Sequence, residues 1–529
     1  MNKKKIQVWL PLLFSLTMII GMYFGYKMRD NMPGKGFFFA EKARPVQEIM
    51  DLIKNRYVDD VMMDSLADTA IQAMLSKLDP HSVFIPAEEL EGVNEDLAGR
   101  FYGIGIEFNI FDDTLNVINV LKDGPGYKAG LLTGDKFIKI DDSLVAGKKT
   151  DADAFRKLLR GDRGTKVTIT YLRNYNKKQV SITRNTIPLS SVDAGYMISK
   201  DIGYIRLNKF SSVTYREFME SLEALKKAGL QKLVLDLRGN GGGILDEAVE
   251  IADEFLEGDK LITYTEGKHI EKKEYRCRRN GQFEKGALIV LADEGTASAS
   301  EILIGALQDW DRATIIGRRT FGKGLVQEQF DLSDKSALRL TVARYYTPIG
   351  RSIQRPYTNG GKAYYEEISK RYHDGETQSA DSVKNDTGKV YKTKGGKTVY
   401  GKGGITPDYF IAMDTAGFSK NSASIYEKGI INNFAYNFYL QNLPQLKTFK
   451  TPNEFIKGFL FSETDWNQFI QAAAKDSVNI YIVSAKEKND LVNRIRSAVA
   501  RQLWRTEGFF EVMNTADPAI NKAIELLSK

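Results

Sequence analysis

The sequence predicts an α/β layered core preceded by a separate β-rich unit, with helical segments at both ends. Three observations lead there. From Ile187 onward strand-like and helix-like runs alternate as far as Ile316, the order of a layered α/β domain. Leu233-Val234-Leu235-Asp236-Leu237 is almost continuously apolar, as a strand buried on both faces should be. Upstream, between Gly103 and Leu172, short strands are separated by glycine-rich turns and one short helix. At 529 residues the chain is also too long for one ordinary core.

The N-terminus is the first element. Lys3, Lys4 and Lys5 precede an apolar run from Ile6 to Phe24, of a length near the minimum for a spanning helix. The basic flank predicts a cytoplasmic N-terminus with the remainder exported. No small-residue cleavage site follows the run, so an uncleaved anchor over 1–27 is preferred to a cleaved signal segment. An anchor of this orientation leaves the bulk of the chain on the extracytoplasmic side; the expected location is the bacterial inner membrane, single-pass, facing the periplasm.

A helical region follows over 40–97. Val46, Ile49, Met50, Ile53 and Tyr57 recur at three- and four-residue steps, a second amphipathic run covers Leu66 to Leu78, and Asp79-Pro80-His81-Ser82 ends it in a turn. The β-rich unit, 98–185, has strands at Leu115–Val120, Lys136–Ile140 and Lys166–Leu172, with a helix around Asp151–Leu159. In the α/β core, 186–415, strands are expected at Asp201–Leu207, Lys232–Leu237, Ala287–Ala292 and Ala313–Ile316, and helices at Tyr215–Ala228 and Ala299–Trp310. The polar, Gly/Lys/Tyr-rich stretch 357–403 reads as an inserted loop or flap. The last segment, 416–529, reads as an aromatic-rich helical extension.

Composition limits the chemistry. The 75 basic and 68 acidic residues give a net charge of +7 spread thinly along the chain, unlike the clustered footprint of a nucleic-acid binder. One cysteine and three histidines exclude an internal disulfide and any multi-cysteine metal site. No metal and no cofactor are called for.

Two glycine-rich turns invite a nucleotide reading, and both fail it. Gly317-Arg318-Arg319-Thr320-Phe321-Gly322-Lys323-Gly324 lacks the Ser/Thr that a phosphate loop needs after its lysine, and a strand-like run follows where a helix should start. Gly239-Asn240-Gly241-Gly242-Gly243-Ile244 lacks the third glycine of the dinucleotide fingerprint. Such a turn at a helix start instead offers backbone N–H groups to a developing oxyanion.

Gly295-Thr296-Ala297-Ser298-Ala299-Ser300-Glu301 follows a strand and opens a helix. Ser298 there reads equally as a nucleophile and as the first residue of a capping box closed by Glu301. With no histidine nearby, Lys323 is the alternative base, since desolvation among Gly322, Gly324, Leu325 and Val326 would lower its pKa. A solvated turn lysine is the competing reading. Gln327, four residues on, would share a strand face with it and could orient the amine.

Taken together, Leu235-Asp236-Leu237-Arg238-Gly239-Asn240-Gly241-Gly242-Gly243, Thr296-Ala297-Ser298-Ala299-Ser300-Glu301 and Thr320-Phe321-Gly322-Lys323-Gly324-Leu325-Val326-Gln327 resemble the carboxyl-terminal processing (tail-specific) serine proteases. Leu78-Asp79-Pro80-His81-Ser82, Tyr346-Thr347-Pro348-Ile349-Gly350-Arg351-Ser352-Ile353-Gln354 and Gly404-Ile405-Thr406-Pro407-Asp408 add to the match, and Gly103–Leu172 looks like the PDZ domain those enzymes carry. The resemblance implies a crotonase-like α/β core with Ser298 as nucleophile, Lys323 as general base and Gln327 orienting it. It implies oxyanion donors from the backbone of Ala299 and of Gly241 or Gly242. It also implies that Gly103, Ile104, Gly105 and Ile106 bind a substrate's C-terminal carboxylate and add its chain as a strand. Protein and peptide substrates are the partners implied; a homo-oligomer or an adaptor is left open.

Three other functions compete. An inactive PDZ scaffold would not need Ser298, Lys323 and Gln327 together. A crotonase-like acyl-CoA enzyme fits poorly with export and an internal PDZ domain. A Ser-x-x-Lys hydrolase would place its lysine three residues after Ser298, where Glu301 stands.

Overall fold

The computed structural model describes residues 3–31, 45–111, 113–383, 389–414 and 419–529. Two compact units, Met1–Met74 and Leu75–Lys529, make up the chain. The first consists of helices: Lys3–Asn31, Pro45–Arg56 and most of Met63–Leu75. Residues 40–44 of the predicted N-terminal helical region lie outside the described residues. The expected membrane span is not supported, because among the described residues no helix is long and apolar enough to cross a membrane. Gln7, Pro11, Ser15 and Thr17 dilute a run already near the minimum length, and Pro11 sits inside the helix.

The second unit is built on a six-stranded sheet ordered Val192–Met197, Ile202–Leu207, Lys232–Asp236, Ala287–Ala292, Thr314–Gly317 and Tyr409–Phe410. All neighbours run parallel except the first pair. Its central strands are buried on both faces, as their continuous apolar sequence requires. Helices Thr214–Lys227, Leu245–Asp253 and Ala299–Asp309 pack into one core with Leu233, Leu235 and Val290. The other face is covered by Ala519, Ile520, Ala523 and Leu527 of the final helix, Pro518–Leu527. Arg238 fastens that helix through Asp517 at 2.7 Å. The chain's last residues thus belong to the core and not to the helical extension expected over 416–529.

A second, antiparallel sheet joins Val83–Ile85, Ala337–Tyr346, Leu261–Glu266 and Lys273–Arg276, with Leu325–Asp331 also paired to Ala337–Tyr346. The strand Val83–Ile85 interrupts the helical pattern expected over 40–97. This short strand carries the turn at Asp79–Ser82 to the edge of the α/β core.

The β-rich unit has its own sheet, Ile106–Phe111, Thr114–Val120, Lys136–Ile140, Lys166–Arg173 and Asn176–Thr183, and its own core around Leu115, Phe137, Phe155 and Ile169. Arg100–Gly103 and Asn185–Pro188 pair at its base and close the insertion. Ile106–Phe111 is an edge strand, and helix Ala152–Leu159, capped by the Asp151 side chain, lies beside it.

The stretch 357–403 is not a loose flap over its described length. It holds helix Gly360–His373 and a hairpin, Val390–Lys392 with Thr398–Tyr400; residues 384–388 lie outside the described residues. The helix buries Tyr364 and Arg371, and Arg371 donates to the carbonyls of Thr320 (2.8 Å) and Gly403 (3.1 Å). Between Lys420 and Met513 lies a separate helical domain with its own core, centred on Phe434, Phe455, Phe469, Leu491 and Ile495.

Candidate active site

Ser298 sits where strand Ala287–Ala292 hands over to helix Ala299–Asp309, every residue of which is buried. Its backbone is at φ 56°, ψ −117°, a region that non-glycine residues rarely occupy. Backbone strain of this kind persists only where the surroundings over-determine it. They do so here. Gly242, at φ 95°, leaves no room for a side chain: a Cβ on it would lie 2.8 Å from both Ser298 Cβ and the Ala299 nitrogen. The Ala297 N–H donates to Asn240 O at 2.9 Å, and Ser300 Oγ donates to the same carbonyl at 3.0 Å.

Glu301 ties this turn to the lysine loop. Its carboxylate is fully buried. One oxygen accepts the N–H of Ser298 (2.9 Å) and of Lys323 (2.9 Å); the other accepts the Gly322 N–H (2.7 Å) and the Thr320 hydroxyl. Burial pushes its pKa up to about 7, against those four hydrogen bonds, which favour the ionised form. The capping reading of Glu301 is therefore correct at the Ser298 N–H but incomplete, because the same carboxylate also holds the loop of Lys323. The buried Tyr345 hydroxyl adds a second link, reaching Ser298 O at 3.1 Å and also Lys323 O.

Lys323 is half-buried, and its Nζ donates to Gln327 Oε1 at 2.9 Å. Burial lowers the pKa of the amine, and the Arg339 charge lowers it further; Asp79 and Glu301 act in the opposite sense. Gln327 is fixed in turn by donating its amide to His81 O. That carbonyl is delivered by the Asp79 turn. Asp79 accepts the N–H groups of His81 (2.8 Å) and Ser82 (2.9 Å) and the Thr341 hydroxyl (3.1 Å). The His81 ring lies 2.9 Å from the Tyr364 hydroxyl, and its pKa is lowered to about 4 by burial first and by Lys323 second. It is neutral at ordinary pH and adds no charge beside the amine.

The structure thus gathers Ser298, Lys323 and Gln327, although among the described residues no hydrogen bond joins Ser298 Oγ to Lys323 Nζ. Of the predicted oxyanion donors, Ala299 opens the helix directly after Ser298. The Gly242 N–H donates to Asn240 Oδ1 at 2.9 Å, whereas that of Gly241 has no partner among the described residues. Gly103, Ile104, Gly105 and Ile106 line a cleft of about 110 Å³ between the edge strand and helix Ala152–Leu159. Gly105, at φ 72°, makes the turn into the strand, and the amides of Ile104 and Gly105 have no partner among the described residues. Among the described residues no group of His, Cys, Asp and Glu could hold a metal ion.

Asp79, His81, Glu301, Thr320 and Tyr345 were not singled out as site residues by the sequence. A clue was present: Glu301 is an acid at the start of an otherwise apolar helix, Ile302-Leu303-Ile304-Gly305-Ala306-Leu307.

Comparison with known proteins shows the class, a serine-type peptidase that carries a PDZ domain. Sequence profiles agree: peptidase family S41 matches residues 201–361, a PDZ domain matches 103–183, and the N-terminal domain of the activating protease CtpB matches 26–89. A family of unknown function, DUF8443, matches 422–505. The carboxy-terminal-processing protease of Bartonella bacilliformis is 37% identical over 313 residues, 58% of this chain and 71% of that protein. A probable CtpA-like serine protease of Staphylococcus epidermidis is 33% identical over 344 residues, 63% of this chain and 69% of its own. The photosystem II D1 C-terminal processing protease, a solved structure, is 26% identical, with 71% of this chain and 87% of that chain covered at a TM-score of 0.35. The chain belongs to the carboxy-terminal-processing serine proteases of peptidase family S41.

Proposed function

We propose that this enzyme is an endopeptidase that captures protein substrates by their C-termini in the PDZ groove and cleaves them through a Ser298 acyl-enzyme. The observation that carries the reading is the buried Glu301 carboxylate, which holds the backbones of Ser298 and Lys323 on one oxygen. A nucleophile and a base on separate loops need such a common anchor to keep their separation fixed.

In the reaction, the neutral Lys323 amine takes the Ser298 hydroxyl proton as Oγ attacks the scissile carbonyl carbon. A rotation of the lysine side chain from Gln327 toward Ser298 brings the amine within reach. The carbonyl oxygen becomes an oxyanion facing the N–H groups of Ala299 and of the Gly241–Gly242 turn at the positive end of helix Ala299–Asp309. Collapse breaks the C–N bond, and the lysine returns its proton to the leaving amine. A water then gives a proton to the Lys323 amine and attacks the ester carbonyl; collapse breaks the bond to Ser298 Oγ, which takes that proton back from Lys323 as the acid product leaves. Gln327 keeps the amine in the site between steps. The parallel sheet with helices on its faces supports a crotonase-like core.

The edge strand Ile106–Phe111 supports capture by strand addition, with the unpartnered amides of Ile104 and Gly105 available to a terminal carboxylate. Amidating a peptide's C-terminus tests this: capture weakens if the reading is right, and unchanged affinity contradicts it. We also place the enzyme on the outer side of the bacterial inner membrane. Lys3–Lys5 and the exposed Trp9, Leu12, Phe14, Ile19 and Ile20 of the first helix support attachment through that helix. Cell fractionation with protease shaving checks it; a wholly cytosolic, unshaved protein contradicts it.

A further inference from the structure

The PDZ groove has a second wall that its own domain does not supply. Beyond the Gly103–Ile106 loop the edge strand continues through Glu107, Asn109 and Ile110, and there it faces the helical domain across a cleft of about 490 Å³. Asn432 and Tyr436 of helix Ile430–Gln441 and Arg501 and Gln502 of helix Ala485–Met513 line the opposite side. A substrate whose C-terminus is held at Gly103–Ile106, and which pairs antiparallel with the edge strand, must run toward Phe111. Six strand residues span roughly 20 Å, so the substrate's residues upstream of the last few enter this cleft.

The charge there is unbalanced. Glu107 accepts from both Arg501 (3.3 Å) and Arg505 (2.9 Å), so two guanidinium groups share one carboxylate. Arg156 enters the cleft from helix Ala152–Leu159, and its partner Asp153 is largely exposed and screens it weakly. Arg505 reaches Glu107 through a break in its helix: Trp504 is at φ −129°, ψ 19° and Arg505 at φ 59°, ψ −147°. Trp504 packs against Phe455, and the neighbouring Gly508 leaves only 2.8 Å between a Cβ on itself and Trp504 Cβ. A buttressed break that aims an arginine at a groove is strain of the kind kept at binding sites.

We propose that the helical domain reads the substrate segment upstream of the captured C-terminus and selects acidic residues there. This rests on capture by the PDZ groove, and it gives residues 422–505 a task in substrate choice.

Binding to the full chain carrying Ser298→Ala tests it by fluorescence anisotropy. Three labelled peptides share their last four residues: a four-residue tail, a ten-residue peptide with Asp/Glu upstream, and the same peptide with Lys upstream. The acidic ten-mer should bind about tenfold tighter than the lysine ten-mer at low salt, and the gap should close as salt rises. Arg501→Gln should narrow the gap while changing the four-residue tail little. Equal affinity of the two ten-mers overturns the proposal without any variant. So does an Arg501→Gln loss as large for the short tail as for the acidic ten-mer, which would mean that the helical domain only holds the PDZ domain in place. Equal binding of the short tail as free acid and as amide would refute C-terminal capture itself, and the proposal with it.

Discussion

The turn that carries Ser298 and the loop that opens the PDZ groove are both glycine-flanked, yet they are held in opposite ways. At the first, a fully buried carboxylate takes four hydrogen bonds and a buried tyrosine hydroxyl reaches two carbonyls. At the second, the amides that face the groove are open, and farther along the edge strand the helical domain is reached through half-exposed ion pairs such as Arg501–Glu107. On the proposed reading, chemistry sits where the backbones that carry it are tied to a dry, buried carboxylate and so cannot drift. Recognition is placed where partners are missing, so that a substrate can supply them. Substitutions at the first site should therefore act on kcat, and on stability too where they break the Glu301 contacts, and those at the second on KM.

The largest expected effect is that of Ser298→Ala, which removes the proposed nucleophile while leaving the Glu301 contacts to the backbone. Peptidase activity should fall by about four orders of magnitude with Tm nearly unchanged. Activity kept within tenfold of wild type would remove Ser298 from the mechanism. Glu301→Gln comes next. It replaces one accepting oxygen by a donor that faces two N–H or O–H groups, so a loss of about 3–5 kcal/mol is expected together with a fall in kcat. Denaturant unfolding and steady-state kinetics report both; a stable, fully active variant would break the contrast between the two regions.

Gln327→Ala should lower kcat by about one to two orders of magnitude and leave KM close to wild type, since only the amine's orientation is lost. A change confined to KM would instead place Gln327 in substrate binding. Gly105→Ala should act least and on the other parameter. Its Cβ would sit 3.1 Å from Ile187 Cδ1 at a φ of 72°, so KM for tailed peptides should rise several-fold with kcat kept. A fall in kcat alone would mean that the groove and the catalytic turn are not separable.

The stretches that the structure brings together around Ser298 were legible in the sequence because they are short, locally spaced motifs. The strands Lys136–Ile140 and Ala287–Ala292 lie where alternation and apolar runs place them. What stayed hidden is polar packing. Helix Gly360–His373 buries a tyrosine and an arginine in place of an aliphatic stripe, so its periodicity is silent and 357–403 resembled a flap. The second role of Glu301 depends on the Thr320–Lys323 loop folding back on it, which no local pattern encodes. Helix Pro518–Leu527 is plainly amphipathic, but the sheet face it covers lies hundreds of residues away in sequence. Ion pairs between Glu107 and the helical domain are equally non-local.

The central claim is that a neutral lysine activates Ser298. A raised pKa would silence such a base at ordinary pH; burial and Arg339 lower it, so the active, deprotonated fraction grows as pH rises through a value below the 10.5 of an ordinary lysine. The direct measurement is kcat/KM against pH for the wild type and for Lys323→Cys converted by aminoethylation to a less basic amine at the same position. The account predicts one ascending limb that moves to lower pH in the aminoethylated enzyme. A flat profile, or a limb that stays in place when the amine is changed, would contradict it.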